Sequence, residues 1–367
     1  MEKYGQYRDK GSGIAPFFPI APPTTSPFLL PWQLFLACVR IPILTFAWLV
    51  WLCLIKHLPA GSLLRKANQW CLLGIPGVWW IDLQVDNVRR GSLSQTPRGR
   101  LPYPGTIIAS SYTSPLDVLY LAAIFDPIFT QSYRKGRLVR PISQETALAN
   151  CFHLPNPLEL GAERKTMTLE ELVRQNPTRI VVVFPESTTS NGRGILKLSP
   201  SLLSAAQTTK IFPVSLRYTP ADVVTPIPGW LEALRFIWRL NSGQTHCIRV
   251  RIGKATTMSR DNSSIQSSSN SSTTSDSSTS SPARPRGGAG KEGFETNFFD
   301  TLQQATPGGQ KVGSDDESGG FSGAERRVLD AVAEDLARLG RVKRVDLGVE
   351  EKARFVEAWG RKSRKSA

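Results

Sequence analysis

The strongest constraint on the fold is an apolar run near the amino terminus. From residue 28 to residue 55 nearly every side chain is apolar, and Lys56 and His57 close the run. A bilayer-crossing helix needs roughly 20 such residues, so the run is long enough to span. Arg40 and Pro42 lie near its middle, and a charge at the hydrocarbon centre costs about 2.5–3.5 kcal/mol on insertion scales.

Three arrangements of this run remain open. Residues 41–55 insert while Arg40 snorkels, or the run forms a proline-kinked re-entrant hairpin, or it is a buried core helix. A second apolar patch, residues 70–81, is too short to span and carries three tryptophans, which favour a membrane interface or a buried core helix. We predict a polar tail over residues 1–27 and membrane-anchoring helices over residues 28–81.

Charge favours an anionic partner. Lys and Arg number 45 against 30 Asp and Glu, a formal charge of +15, which attracts nucleic acid, anionic membranes or phosphorylated small molecules. Basic residues such as Lys56, Arg65 and Lys66 follow the apolar run and place the bulk of the chain in the cytosol. The apolar run, with no recognisable nucleic-acid motif, argues against a nucleic-acid partner.

Cysteine and histidine usage favours neither disulfides nor metal. The five cysteines are scattered without a C-x-x-C pair, which is typical of ordinary reduced thiols. Three histidines are too few for a histidine-based metal cluster. We therefore predict no structural zinc, no other metal and no cofactor.

Residues 82–254 have the pattern of an α/β domain. Strands are expected at residues 106–110, 179–184, 210–217 and 246–252, with helices at 115–125 and 229–240. This alternation predicts a mostly parallel sheet flanked by helices. Residues 255–322 are rich in Ser, Thr, Gly and Asn, which predicts a disordered insertion. Residues 323–367 are expected to form helices and a basic tail that fold back through Leu339, Leu347, Phe355 and Trp359.

Two polar blocks follow predicted strands. The first, SSYTSPLD, ends at Asp117, one turn into a predicted helix. The second, FPESTTSNGRG, starts at Phe184 and contains Glu186 and Arg193. Because open α/β sheets bind ligands at the carboxyl ends of their strands, we expect the two blocks to form one site.

In this order the blocks resemble the glycerol-phosphate/lysophospholipid acyltransferase family. Its first motif is His, four residues, Asp; here Asp117 is kept and Tyr112 occupies the histidine position. The third motif appears as residues 184–188, and the fourth as residues 211–214 around Pro213. Residues 1–17, the TSPLD block and the carboxy-terminal EKARFV are similar to a fungal lysophosphatidic acid acyltransferase branch linked to lipid droplets and vacuolar protein sorting.

The resemblance implies a reaction and a set of residues. In the family the histidine takes a proton from the acceptor hydroxyl, the aspartate orients it, and the alkoxide attacks an acyl-CoA thioester. A phenol with an ordinary pKa near 10 is a poor base, so Tyr112 would position the hydroxyl or donate to the oxyanion. Alternative bases are Asp117 acting through water, Glu186, or the acceptor's own phosphate.

We therefore expect Asp117 and Tyr112 to be catalytic, and the substrate-binding residues to be Glu186, Ser187, Thr188, Arg193 and Pro213. Each also has a structural interpretation. Asp117 would be a helix first-turn carboxylate and Tyr112 a packing residue beneath the loop. Glu186 and Thr188 would stabilise a turn, and Arg193 would be a solvated charge. Ser187 replaces the family's glycine, and Thr189 replaces its arginine.

The predicted function is acyl-CoA-dependent acylation of lysophosphatidic acid or another lysophospholipid. The expected place is the cytosolic face of the endoplasmic reticulum or a lipid droplet. Acyl-CoA would be the co-substrate, and membrane lipids and the lysophospholipid acceptor the partners. The alternative, which the replacement of the histidine by Tyr112 favours, is a non-catalytic lipid-binding or trafficking scaffold that retains the fold.

Overall fold

A computed structural model describes residues 2–23, 26–86, 88, 98–134, 136–153, 166–258 and 322–365. The predicted disordered insertion lies almost wholly outside the described residues. The helices are α1 (Leu30–Cys53), α2 (Leu63–Gly74), α3 (Pro115–Phe125), α4 (Gln144–Asn150), α5 (Leu169–Gln175), α6 (Trp230–Ser242), α7 (Gly323–Gly340) and α8 (Val349–Lys365). The strands are β1 (Val78–Val85), β2 (Ile107–Ser110), β3 (Ile128–Ser132), β4 (Val139–Ile142), β5 (Val181–Val183), β6 (Gly194–Ile195), β7 (Ile211–Thr219), β8 (His246–Ile252) and β9 (Lys343–Arg344).

Seven of these strands form one sheet in the order β1-β8-β7-β2-β5-β3-β4. The pairs β1–β8, β7–β2, β2–β5 and β5–β3 are parallel, whereas β7–β8 and β3–β4 are antiparallel. The predicted α/β class with a mostly parallel, helix-covered sheet is confirmed. Parallel strands buried on both faces read as continuous apolar runs, which is why β5 was visible as VVV in the sequence.

Alternating residues of the central strands build two cores. Ile108, Val182 and Phe212 belong to one core, which also holds Leu72 of α2 and Leu116 of α3. Their neighbours Ile107, Val181 and Ile211 belong to the other, together with Leu169 of α5 and Val332 of α7. Because successive side chains of a strand point to opposite faces, one short run supplies both cores.

The second apolar patch is not a single helix, which corrects the predicted helical region over residues 28–81. Helix α2 ends at Gly74, and β1 begins at Val78 as an edge strand beside β8. Between them Gly77 has a φ of 92°, and a Cβ at this position would lie 2.9 Å from the carbonyl oxygen of Gln244. Only glycine meets both conditions, so the turn fixes where the strand starts.

Helix α1 runs continuously through Pro42, so the apolar run is not folded into a hairpin. The helical stretch Pro27–His57 is, by length and composition, long enough and apolar enough to cross a membrane. The guanidinium of Arg40 donates to the carbonyl oxygens of Pro76, Asn241, Gly243 and Gln244. Three of these acceptors lie at the end of α6, where carbonyl groups carry partial negative charge. Arg40 is thus bound by protein and ties α1 to α6.

The two ends of the chain meet. Residues Glu2–Tyr7 form a short 3₁₀ helix, and Tyr4, Tyr7 and Phe17 are buried. They pack on Phe355 of α8, with ring centroids 6.0, 5.3 and 6.1 Å from it. The first residues, read from the sequence as a polar tail, therefore contribute aromatic rings to the fold. Leu339, Leu347 and Phe355 are buried, as expected for a carboxy-terminal segment that folds back.

Candidate active site

The two polar blocks lie side by side at the carboxyl ends of β2 and β5. The backbone N–H of Ser190 donates to the carbonyl oxygen of Tyr112 at 3.0 Å, and the backbone N–H of Tyr112 donates to the carboxyl of Glu186 at 3.3 Å. Parallel neighbouring strands end at the same edge of a sheet, so the loops that leave them are brought together. The predicted meeting of the two blocks is observed.

Asp117 is fully buried at the first turn of α3. Its Oδ2 accepts hydrogen bonds from the backbone N–H groups of Thr113 at 2.6 Å and Ser114 at 2.9 Å, and from the Thr113 hydroxyl at 3.2 Å. Burial raises the pKa of Asp117 to about 6, although these hydrogen bonds act in the opposite direction. The carboxylate therefore has both the capping role of a helix first turn and the raised pKa typical of functional groups.

Tyr112 does not contact this carboxylate with its hydroxyl. The phenol donates to the carbonyl oxygen of Ala147 at 3.1 Å and accepts from the Cys151 thiol at 3.4 Å. Its ring is stacked on Phe184, with centroids 4.3 Å apart. Burial raises the pKa of Tyr112 well above its ordinary value. The geometry favours the packing role for Tyr112, at the position where the family has its histidine.

A different tyrosine faces the aspartate. The phenol of Tyr218, near the end of β7, donates to Oδ1 of Asp117. Burial and the neighbouring Asp117 raise the pKa of Tyr218 well above its ordinary value, so the proton stays on the phenol. Sequence reasoning missed this residue because the expected strand stopped at residue 217. The alternation of Phe212, Val214 and Leu216 on one face, continued by one step, would have placed Tyr218 beside them.

A cavity of about 120 Å³ opens beside Asp117 and Tyr218. We name it the acceptor cavity. Its lining includes Thr113, Asn191, Arg193, Arg217 and Tyr218. The exposed Arg193 gives the cavity a cation at its mouth, consistent with its predicted role toward a phosphate.

Pro213 is not among the residues of that lining. It lies inside β7 opposite Ala109, and its carbonyl oxygen accepts from the Gly253 N–H at 2.8 Å. A Cβ on Gly253 would lie 2.7 Å from the Pro213 ring. The structure therefore places Pro213 inside the strand and not among the lining residues of the acceptor cavity, so its substrate-binding role stays a prediction.

Glu186 joins the two blocks. Its buried carboxyl accepts from the backbone N–H of Tyr112 and from that of Leu196, each at 3.3 Å. Burial raises the pKa of Glu186 to about 8. Both oxygens are occupied by backbone donors, so this geometry favours a brace between loops over a direct contact with substrate.

The neighbours of Glu186 explain why the family has glycine in the third motif. Ser187 has a φ of 56°, a left-handed conformation that glycine adopts without strain. Its hydroxyl lies 3.0 Å from that of Ser132.

The Thr188 hydroxyl is buried and, within the described residues, has no hydrogen-bond partner. An unsatisfied buried hydroxyl is costly and is a natural contact for a ligand, in keeping with the predicted role of Thr188.

The loop is held from behind by residues that sequence reasoning did not single out. Lys352 of α8 is buried, and its ammonium group donates to the carbonyl oxygen of Thr189 at 2.7 Å and to its hydroxyl at 2.8 Å. Burial lowers the pKa of Lys352 to about 7. The Asn191 amide donates to the carbonyl oxygens of Ala15 at 2.8 Å and Phe18 at 3.0 Å. Lys352 lies within EKARFV, the carboxy-terminal segment on which the resemblance to the fungal branch partly rests.

Comparison with known proteins supports the resemblance that the two polar blocks predicted. Residues 88–219 match the family described as Acyltransferase, and this segment contains Asp117, Glu186 and Tyr218. Residues 88–219 form an acyltransferase domain, and the protein is an acyltransferase, as the motifs predicted. Within the described ranges, no group of three or more His, Cys, Asp or Glu side chains is placed to hold a metal ion.

One relative extends the likeness beyond the family domain. It is a Schizosaccharomyces pombe protein named "Putative lysophosphatidic acid:oleoyl-CoA acyltransferase". It is 29% identical over 242 residues, which cover 65% of this chain and 80% of the relative. No solved structure matches the chain significantly.

The brace role of Glu186 predicts a folding defect. Glu186→Ala leaves two buried N–H groups without acceptors, each costing about 1–3 kcal/mol, so the free energy of unfolding should fall by about 2–6 kcal/mol. Glu170→Ala, an exposed glutamate of α5, should change it by less than about 1 kcal/mol. Denaturant unfolding in detergent measures both values, and equal stability of the two variants would contradict the brace.

The raised pKa of Asp117 predicts a pH-dependent stability. The folded state binds the proton more tightly than the unfolded chain, whose aspartate has a pKa near 3.8. The contribution is therefore fully present below pH 4 and is lost as the pH rises to about 6, by about 3 kcal/mol. The loss should vanish in Asp117→Asn, which is similar in shape. Unfolding curves between pH 4 and pH 7 measure the difference, and parallel profiles would contradict it.

Proposed function

We propose that this chain transfers a fatty acyl group from acyl-CoA to the free hydroxyl of lysophosphatidic acid or another lysophospholipid. The observation that carries the proposal is the buried Asp117–Tyr218 pair beside the acceptor cavity. The name of the S. pombe relative supplies the two substrate classes. The exposed Arg193 at the cavity mouth suits an acceptor that carries a phosphate.

In this proposal Tyr218 relays a proton. The acceptor hydroxyl enters beside the phenol oxygen, which takes the hydroxyl proton while passing its own proton to Asp117. The resulting alkoxide attacks the thioester carbonyl and forms the new ester bond as the carbon–sulfur bond breaks. The proton then returns through Tyr218 to the leaving thiolate, so the products are the acylated lipid and free coenzyme A. The raised pKa of Asp117 makes it a better proton acceptor than an ordinary aspartate.

The test compares two tyrosines that each lose one buried hydroxyl. Tyr218→Phe should lower kcat by about 10²–10⁴-fold, the usual contribution of general acid–base catalysis. Tyr112→Phe should keep close to the wild-type rate, because its hydroxyl contacts only Ala147 and Cys151. The measurement is transfer from radiolabelled oleoyl-CoA to lysophosphatidic acid by purified protein, with thermal unfolding as a check on folding.

Two outcomes would contradict this scheme. Equal activity of both variants would remove Tyr218 from the mechanism. Tight binding of acyl-CoA by the wild-type protein, with no product for any lysophospholipid, would favour the lipid-binding or trafficking scaffold over the enzyme.

We propose further that the protein works at the cytosolic face of the endoplasmic reticulum and on lipid droplets, in glycerolipid synthesis and membrane trafficking. Helix α1 supports membrane attachment by its length and apolar composition. Helix α6 supports it as well, since it packs beside α1 and leaves Trp230, Leu234 and Trp238 exposed. An amphipathic helix with tryptophan on its apolar side suits a membrane interface.

The contact of α6 with lipid can be tested by quenching tryptophan fluorescence with brominated phospholipids in vesicles that carry the protein. Trp238→Phe removes a tryptophan that faces the bilayer, so the quenched fraction should fall. Trp359→Phe removes a ring packed among the terminal aromatic residues, so the quenched fraction should rise slightly. A quenched fraction that rises in both variants would show that α6 faces water.

A further inference from the structure

A second cavity, of about 210 Å³, lies where β7 and β8 meet the end of α7. Four arginines line it, namely Arg217, Arg249, Arg251 and Arg341, and we name it the arginine cavity. Arg217 comes from β7, Arg249 and Arg251 from β8, and Arg341 directly follows α7.

The strand register brings like charges into direct opposition. Arg217 lies opposite Arg249 in the antiparallel pair, and Arg251 lies opposite Ser215, two residues further along. Like charges directly opposite on a sheet destabilise it. Burial and then repulsion from Arg249 and Arg341 lower the pKa of Arg217, and burial followed by Arg341 and Arg217 does the same to the pKa of Arg251. The fold therefore holds these cations together at a cost in stability.

Within the described residues, a carboxylate and two helix-end carbonyl groups act on these cations. Asp82 of β1 is in register with Arg249 and raises the pKa of Arg251. Arg217 and Arg251 each donate one N–H to a carbonyl oxygen at the end of α7, at 2.8 Å to Gly340 and 2.9 Å to Leu339. These bonds fix the two guanidinium groups in place, and a fixed guanidinium is suited to binding phosphate oxygens.

The arginine cavity adjoins the acceptor cavity. Arg217 and Tyr218 belong to the linings of both, and the Tyr218 phenol is bonded to Asp117. A ligand with phosphates at one end and a flexible arm at the other suits two cavities that share these residues. Coenzyme A has this form, with a 3′-phosphate and a diphosphate on its nucleotide and the thioester at the far end of its arm.

We propose that the arginine cavity binds the phosphates of the nucleotide end of acyl-CoA. This inference rests on the proposed function, because it assigns a subsite to the acyl donor. Anionic lipid headgroups also carry phosphate esters, so they share with coenzyme A the chemistry that the arginine cavity would recognise. The position of the cavity beside Tyr218 favours the donor nucleotide, which must lie within reach of the reacting thioester.

The first experiment measures equilibrium binding. Titration calorimetry of the detergent-solubilised protein with coenzyme A should give a Kd about tenfold or more weaker for Arg249→Gln, since one charged hydrogen-bond donor to phosphate is lost. Arg341→Gln should behave in the same way. Arg174→Gln on α5 also removes one exposed positive charge and is the matched control, with an unchanged Kd. Arg249 is exposed and its removal relieves the repulsion from Arg217, so the unfolding temperature should not fall.

The second experiment distinguishes binding of the nucleotide end of acyl-CoA from binding of its acyl-pantetheine end. With oleoyl-CoA, Arg249→Gln should raise KM about tenfold at nearly constant kcat, as expected when binding common to ground and transition states is lost. With oleoyl-pantetheine, which lacks the nucleotide, wild type and variant should perform alike. An equal defect with both donors would overturn the assignment.

The third arm uses vesicles that contain phosphatidic acid. If Arg249→Gln weakens vesicle binding while the Kd for coenzyme A stays at the wild-type value, the cavity serves a lipid headgroup and the proposal is wrong. Failure of the proposed function is distinguishable, because it would show as arginine-dependent binding of coenzyme A without any product. Turnover with a Kd insensitive to both Arg249→Gln and Arg341→Gln would instead overturn the subsite and leave the enzyme.

Discussion

The fold around the active site depends on one buried carboxylate. Asp117 accepts hydrogen bonds from two backbone N–H groups at the end of the loop after β2. Its other oxygen accepts a hydrogen bond from the phenol of Tyr218 on β7. A buried ion without such partners would cost several kcal/mol, so the loop, the start of α3 and the end of β7 are held in one arrangement. The same bonds cap a helix and, in the proposed scheme, form the proton path, so the structural and catalytic interpretations of Asp117 are compatible.

Much of the fold was readable from the sequence because local patterns decide it. The helix at residues 115–125 and the strand at 246–252 were predicted with the bounds that the structure has. The site was less predictable. Motif spacing brought Asp117 and Glu186 together, but it placed the catalytic hydroxyl on Tyr112, whose side chain turns toward Ala147. Which of two tyrosines reaches a carboxylate depends on contacts distant in sequence, and Tyr218 lies 101 residues from Asp117.

The charges show the same division between local and distant information. The net charge of +15 indicated an anionic partner but gave no location. Pairing of β7 with β8 places Arg217 opposite Arg249, and the end of α7 adds Arg341 from more than 90 positions away. Likewise, the sequence indicated a free-energy cost for placing Arg40 at the centre of a membrane-spanning helix. It is resolved by carbonyl groups at the end of α6, which periodicity in the sequence cannot reveal.

The hydrogen bonds between α8 and the third-motif loop form late in synthesis of the chain. Thr189 receives its two bonds from Lys352, and the aromatic residues beside Lys352 also anchor the first residues of the chain. A chain is made from its amino terminus and folds as it emerges. Helix α1 is therefore available to a membrane long before the loop is completed by α8. The third-motif loop therefore acquires its bonds from Lys352 only after nearly the whole chain has been synthesised.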